Sequence, residues 1–285
     1  KKVGKVELSL NSSYFKDETD VVGGTIGDQD RPLYWFLLNT SANIPLSRYS
    51  DWRNDLYATP DGYYNAYYQN PYWAVGTNRN NYKSNRLNGN VQASWDPLSW
   101  LNVTARIGTN TYWTNGKNWR AAQTYDPVLQ PSAGAVSSFV EDSESQSSEV
   151  IEDLLVTGSF EFGKFSLKTI LGASNYNYIY RSSSIRADNL SIPDFYDISN
   201  GTGTPTVSAD ASQEVNFGFF GDFTLGYGDF LYFNFSGRND WTSTLAKGNN
   251  NYFYPGFGVS FVLTDAIDAL KNNDILSYAK LTASN

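Results

Sequence analysis

Residues 214–241 read EVNFGFFGDFTLGYGDFLYFNFSGRNDW, and they alternate twice. On the first arm Val215, Phe217, Phe219, Phe223 and Leu225 share one parity, against Asn216, Gly218, Asp222 and Thr224 on the other, where Phe220 is the one apolar intruder. On the second arm Leu231, Phe233 and Phe235 oppose Tyr232, Asn234, Ser236, Arg238 and Asp240. Side chains alternate across a strand with period two, so each arm has an apolar face and a wet face. Gly226-Tyr227-Gly228-Asp229 between them is rich in turn formers, and the stretch predicts a long-armed β-hairpin.

The same design recurs on both sides. Leu87, Gly89, Val91, Ala93 and Trp95 alternate with Asn88, Asn90, Gln92 and Ser94. A turn at Asp96-Pro97-Leu98-Ser99 leads to Leu101, Val103, Ala105 and Ile107, which alternate with Asn102, Thr104, Arg106 and Gly108. A third hairpin spans about 149–180 and turns at Gly163-Lys164, with Leu154, Val156, Phe160, Phe162, Phe165, Leu167, Leu171 and Ala173 on its apolar face. Single strands are expected over about 5–15, over 252–263 and from about Ser277. Leu33 to Ile44 is read as a short helix rather than a strand, and Thr264 and Asp265 as caps for a helical turn or two.

Between the hairpins lie long irregular stretches at 16–81, 114–148 and 181–212. Tight turns therefore alternate with long loops, which in an up-and-down sheet puts every short turn on one side and every long loop on the other. Transmembrane β-barrels have this layout, with short periplasmic turns and long extracellular loops. Aromatic residues near strand ends (Trp95, Trp100, Tyr112, Trp113, Trp241, Tyr252) fit interfacial girdles. The fold class predicted is all-β, an antiparallel up-and-down transmembrane barrel of about nine strands, hence a partial one. A soluble sandwich also has one apolar face, but it has no need of long loops at alternate connections only, and its outer face would carry more Lys and Glu.

Composition narrows function by exclusion. The 285 residues contain no Cys, no His and no Met, which removes thiolate nucleophiles, Ser-His triads and Cys- or His-ligated metals. No enzyme and no cofactor is implied. The net charge of −8 argues against a nucleic-acid partner. No apolar run reaches the length of a membrane-spanning helix, and without an initiator Met or a signal-like start the sequence is read as a mature, processed or partial chain. Asp28 with Asp30, and Glu141, Asp142 and Glu144, lack the order of a calcium loop and are read as solvated charges.

Residues 237–285 carry a family likeness. GRNDWTSTL, then NNNYFYPGFGVSFVLTDAI, then ILSYAKLTASN resemble the SusC/RagA family of TonB-dependent outer-membrane transporters, through Arg238-Asn239-Asp240, Tyr254-Pro255-Gly256-Phe257 and Tyr278-Ala279-Lys280-Leu281-Thr282-Ala283-Ser284. Asn70-Pro71-Tyr72-Trp73, Asn85-Arg86-Leu87-Asn88-Gly89-Asn90 and the turn Asp96-Pro97-Leu98-Ser99-Trp100-Leu101 are similar to that family too. A plug domain, a TonB box and a closing strand are not recognisable, and family barrels have twenty-two strands, so the resemblance implies an internal barrel portion. It also implies energy-dependent import of glycans, oligosaccharides or peptides, with a SusD-like surface lipoprotein, the TonB complex and outer-membrane lipid as partners.

Stacking aromatic side chains suit such substrates, so Tyr63, Tyr64, Tyr67, Tyr68, Tyr72, Trp73, Trp113 and Trp119 are candidate contacts to substrate or to the lipoprotein lid. Arg106, Arg238 and Asp240 are candidate lumen-lining residues. Two other readings stand beside the transporter: a non-transporting outer-membrane barrel (adhesin or structural) and a soluble carbohydrate-binding β domain.

Overall fold

The computed structural model describes residues 2–24, 26, 31–64, 69–128, 131, 133–270 and 276–285. They form one antiparallel sheet of ten strands whose spatial order is their order in the chain. The strands are β1 (Lys2–Val3), β2 (Val6–Val22), β3 (Asn78–Leu98), β4 (Leu101–Arg120), β5 (Phe139–Phe162), β6 (Phe165–Asp188), β7 (Thr206–Tyr227), β8 (Leu231–Thr242), β9 (Asn251–Val262) and β10 (Lys280–Ser284). Three short helices accompany them: α1 (Leu33–Asn39), α2 (Pro71–Thr77) and α3 (Leu263–Ala266). No helix among the described residues is long and apolar enough to cross a membrane.

The hairpin at 214–241 forms as expected, with Phe223 opposite Phe235 and Leu225 opposite Phe233. Its turn is Gly228, Asp229 and Phe230, one residue shorter and two further on than the sequence indicates. Gly228 and Asp229 both take positive φ there, at 58° and 62°. The β5–β6 hairpin closes through Gly163-Lys164 between Phe162 and Phe165, and Gly163 at φ 66° supplies the left-handed first position of a two-residue turn. The β3–β4 turn falls at Ser99-Trp100 rather than at Asp96–Ser99. Asp96 and Pro97 instead form an irregularity at the end of β3, where proline has no N–H to give the ladder.

The larger departure is length. β5 and β6 have 24 residues each, and strand pairing continues through 16–22, 78–81, 114–120, 139–148, 181–188 and 206–212, stretches expected as loop. The acidic, serine-rich run Glu141–Ser145 is part of β5. Backbone pairing persists there although hydrophobic alternation has ceased, because both faces of those segments are wet. Near the chain end, α3 is preceded by Val262 with no side-chain cap, so Thr264 and Asp265 lie inside the helix rather than capping it. The final strand starts at Lys280, not Ser277.

Strand pairing sorts the side chains into two faces. Leu8 lies in line with Ala93, Ala105, Leu154, Ala173, Phe219, Asn239 and Phe253 across eight strands. The apolar stripe does not follow that row. On β2 it centres on Leu8, between Val6 and Leu10. On β9 it centres on Val259, between Phe257 and Phe261, six residues beyond Phe253 (259 − 253). Six residues over seven strand steps is nearly one residue per strand. A level membrane leaves a slanted stripe of this kind on strands tilted by roughly 35–45°. No second layer covers it: Leu10 is 71% exposed, Phe219 54% and Phe257 46%. A sandwich would bury these side chains against a facing sheet, and the single-layer architecture is that of a partial barrel wall.

Candidate functional site: the wet wall and its rim

The opposite parity is polar and carries a connected set of charges. Asp153 on β5 accepts two bonds from Arg106 on β4, from Nε at 3.0 Å and from a terminal nitrogen at 2.7 Å, and a third from Ser174 Oγ on β6 at 2.7 Å. Its side chain is only 12% exposed against 47% for Arg106, so the carboxylate is the member that depends on its partner. Further along the wall Asn110 Nδ2 donates to Glu149 at 3.0 Å, and Asn234 Nδ2 donates to both oxygens of Asp222.

Phe220, the parity intruder, belongs to this wall. Its ring lies over Gly172 on the neighbouring strand, so closely that a Cβ at position 172 would sit 2.2 Å from a ring carbon. The Arg238 guanidinium stacks on the ring's other side of the ladder at 5.3 Å from its centroid, while its Nε donates to both oxygens of Asp240 at 2.8 Å. Glycine thus makes room for an aromatic, and the aromatic in turn supports a cation–π contact beside the ion pair. Arg106, Arg238 and Asp240 all sit on the wet face, where the sequence places them.

At the rim the first long connection folds into a compact cap. Phe36 of α1 and Trp73 and Ala74 of α2 pack with Ile26 into one small core. Tyr49, Ala58 and Tyr63 form a second, and Trp52 touches both. Asn70, fully buried, ties the cap together. Its Nδ2 donates to the carbonyls of Tyr49 (2.8 Å) and Ala58 (2.6 Å), and its Oδ1 accepts the Tyr72 N–H (3.0 Å), capping α2. Gln69 and Gln123 join the cap to the β4–β5 connection, with Gln69 also donating to the Tyr125 hydroxyl.

This packing decides what the candidate aromatics can reach. Tyr63 and Trp73 are 4% and 7% exposed and belong to the two cap cores, and Tyr64 packs against the core that holds Tyr63. Burial pushes the Tyr63 phenol up to about 12. Tyr72, on α2, is exposed. Tyr67, Tyr68, Asp28 and Asp30 lie outside the described residues. Trp113 and Trp119 share the parity of Val103 and Ile107, so they stand on the outer face, turned away from the wet wall. Trp119 packs against Tyr196 of the β6–β7 connection at 5.4 Å. Burial raises the Tyr196 pKa, and Asp194, which accepts its hydroxyl, adds to the shift.

The structure thus brings Arg106 together with Asp153, and Arg238 with Asp240, and it separates the aromatics into cap core, rim and outer face. Asp153, Phe220 and Asn70 are the residues that sequence reasoning passed over. Phe220 carried a signal, as an aromatic out of phase with its arm, and so did Asn70, as the first residue of the Asn70-Pro71 helix start in a motif similar to the family, whereas Asp153 carried none.

No family model matches the chain, and no curated protein matches it in sequence. Solved structures do. A chain of the RagAB peptide transporter superposes with a TM-score of 0.67 at 18% identity, over 76% of this chain and 24% of that one. The likeness is one of fold. The RagAB peptide importer in its closed-closed state gives the same values, and in its open-open state a TM-score of 0.66 at 19% identity over 76% and 23%. This chain therefore spans about a quarter of the length of the transporter chains it matches. The resemblance to SusC/RagA transporters carried by 237–285 and the likeness to RagAB point the same way, and the wall described above has the fold of a section of such a barrel.

Proposed function

We propose that this chain is part of the wall of an outer-membrane, TonB-dependent import barrel. Its cargo would be peptides, or glycans and oligosaccharides, with a SusD-like surface lipoprotein over the mouth and the TonB complex engaged through other regions of the full protein. The observation that carries the reading is a single sheet, apolar and uncovered on one face and hydrogen-bonded on the other, that superposes on RagAB over three-quarters of its length. The wet wall suits a path for polar cargo. Its hydroxyls, carboxamides and ion pairs offer many weak contacts, and its charged groups are held by opposite charges (Arg106 with Asp153, Arg238 with Asp240) or by carboxamides (Glu149, Asp222). The RagAB likeness favours peptides among the cargo classes.

The test is growth of a strain deleted for the full gene on defined peptides and on individual glycans as sole nutrient. Loss of growth on one class, restored by the gene and dependent on the membrane potential, is expected. Unchanged growth on every substrate, with surface attachment lost instead, would overturn import in favour of an adhesin.

A further inference from the structure

Above the apolar stripe the outer face does not become featureless. One row of paired residues runs Lys16, Asn85, Trp113, Gln146, Arg181, Ala211 across β2 to β7. Adjacent strands are about 4.8 Å apart, so Lys16 and Arg181 stand about 10 Å to either side of the Trp113 indole, each separated from it by one carboxamide. A cavity of about 660 Å³ opens over Asn85, Trp113, Gln146, Arg181 and Ala211 of this row, with Asn115, Ser183, Glu144 and Asp210 among its other walls and Lys16 beyond its edge. Arg181 is exposed and has no carboxylate or other acceptor among the described residues. Lys16 and Lys83 share a single carboxylate, Glu18, at 3.1 and 3.6 Å, which leaves that corner net positive. Tyr14 donates to Asn85 Oδ1 at 2.6 Å and leaves the Asn85 amide N–H groups for a ligand.

We propose that this row binds the phosphorylated saccharide headgroup of an outer-leaflet glycolipid, with a sugar face on Trp113 and phosphate groups on Arg181 and Lys16. The inference rests on the membrane-barrel reading. It is argued from chemistry and from height. An indole flanked by carboxamides and, further out, by cations matches a sugar ring flanked by phosphates. The last aliphatic side chain of the stripe on β4 is Ile107, and Trp113 is six residues beyond it (113 − 107). That is about 20 Å along the strand, or about 15 Å of height at a tilt near 40°. The headgroup zone of an ordinary phospholipid is only about 5–8 Å deep on each side. A phospholipid head therefore falls short of the row, whereas an oligosaccharide head reaches it.

The experiment uses the full transporter in detergent micelles, titrated with short-chain lipopolysaccharide, with its dephosphorylated form, with phosphatidylglycerol and with a soluble phosphosaccharide. Arg181→Gln and Trp113→Ala are each expected to weaken lipopolysaccharide binding about tenfold, the worth of one charge-assisted bond or one stacking face. Arg181→Gln should make no difference to the dephosphorylated form. Trp113→Phe keeps a stacking face and serves if the alanine variant fails to assemble. Unchanged affinity in both variants, equal binding of phosphatidylglycerol, or tighter binding of the soluble sugar than of the lipid would overturn the site. Heat-modifiable migration of each variant reports separately whether a membrane barrel has formed, so failure of the barrel reading is distinguishable from failure of the site.

Discussion

Replacing Asn70 with alanine should open the rim cap while leaving the wall intact. The Asn70 side chain is fully buried and makes three hydrogen bonds, two to carbonyls of separate segments and one to the first turn of α2. Truncation orphans the carbonyls of Tyr49 and Ala58, at about 1–3 kcal/mol each for a buried unsatisfied group. It also removes a helix cap worth about 1 kcal/mol. The sum, about 3–7 kcal/mol, falls on a unit of two small cores and short helices, so it should appear as local opening rather than global unfolding. Hydrogen exchange reads it directly. The amides of Ala74 and Asn78, which bond to the carbonyls of Asn70 and Ala74, should exchange more than a hundredfold faster in Asn70→Ala. The amide of Ala105, in the centre of the sheet, should be unaffected. Asn70→Asp keeps the acceptor for Tyr72 but loses both donated bonds, so it should resemble alanine more than wild type. Exchange at Ala74 and Asn78 within threefold of wild type in Asn70→Ala would refute the keystone role.

Three further expectations follow from the same geometry. Phe223→Arg, on the uncovered apolar stripe, should cost about 2–4 kcal/mol in urea unfolding from lipid bilayers, whereas Thr224→Arg, one residue on and facing the wet wall, should cost far less; equal costs would mean the faces are misassigned. Gly172→Ala must displace the Phe220 ring and should destabilise by about 1–3 kcal/mol, a penalty absent in a Phe220→Ala background, as a double-mutant cycle would show. The Tyr63 phenol is raised from 10.0 to about 12, so its contribution is complete below pH 10 and is lost as pH rises from 10 towards 12, where the unfolded phenol ionises first. The stability of the cap, read from the near-UV absorbance or circular dichroism of its aromatic core on urea titration, should fall across that window by up to about 2–3 kcal/mol more in wild type than in Tyr63→Phe.

The membrane-level part of each strand was legible because one face there must be apolar. Val103, Ala105 and Ile107 against Thr104 and Arg106 leave no choice of period, and the register of β7 on β8 follows from it. The upper halves were not legible for the opposite reason. Glu141–Ser148 is wet on both faces, so strand and polar loop have the same composition, and only the pairing with 179–186 tells them apart. The same ambiguity hides the face of Trp119, which lies in the stretch expected as loop, and leaves Trp113 a candidate both for the interfacial girdle and for contact with substrate or lid. Counting by twos from Val103 would have placed both on the outer face, had the strand been extended that far. The cap cores were out of reach altogether: Phe36 meets Trp73, and Asn70 meets Tyr49 and Ala58, across intervening stretches with no periodicity to link them.

The length of the strands changes where recognition can take place. On β5 the apolar parity runs from Leu154 to Phe162, about the span a tilted strand needs to cross the hydrocarbon, and the strand continues fifteen residues further, to Phe139 (154 − 139). At about 3.3 Å per residue those fifteen residues extend the wall by about 50 Å along the strand, polar on both faces over Glu141–Glu149 and buried at Phe139 and Val140. Such a palisade is stable outside the membrane because its ladder is complete from β2 to β7 and because ion pairs, such as Arg79 with Asp20 and Lys117 with Asp142, line its outer surface. It carries the cap and the β4–β5 and β6–β7 connections at its top, far from the lipid stripe. On the import reading proposed above, the inner surface of the wall would face cargo and the outer surface the polar zone of the leaflet, so Trp113 on one parity of β4 and Arg106 on the other, paired with Asp153 of β5, can belong to different functions.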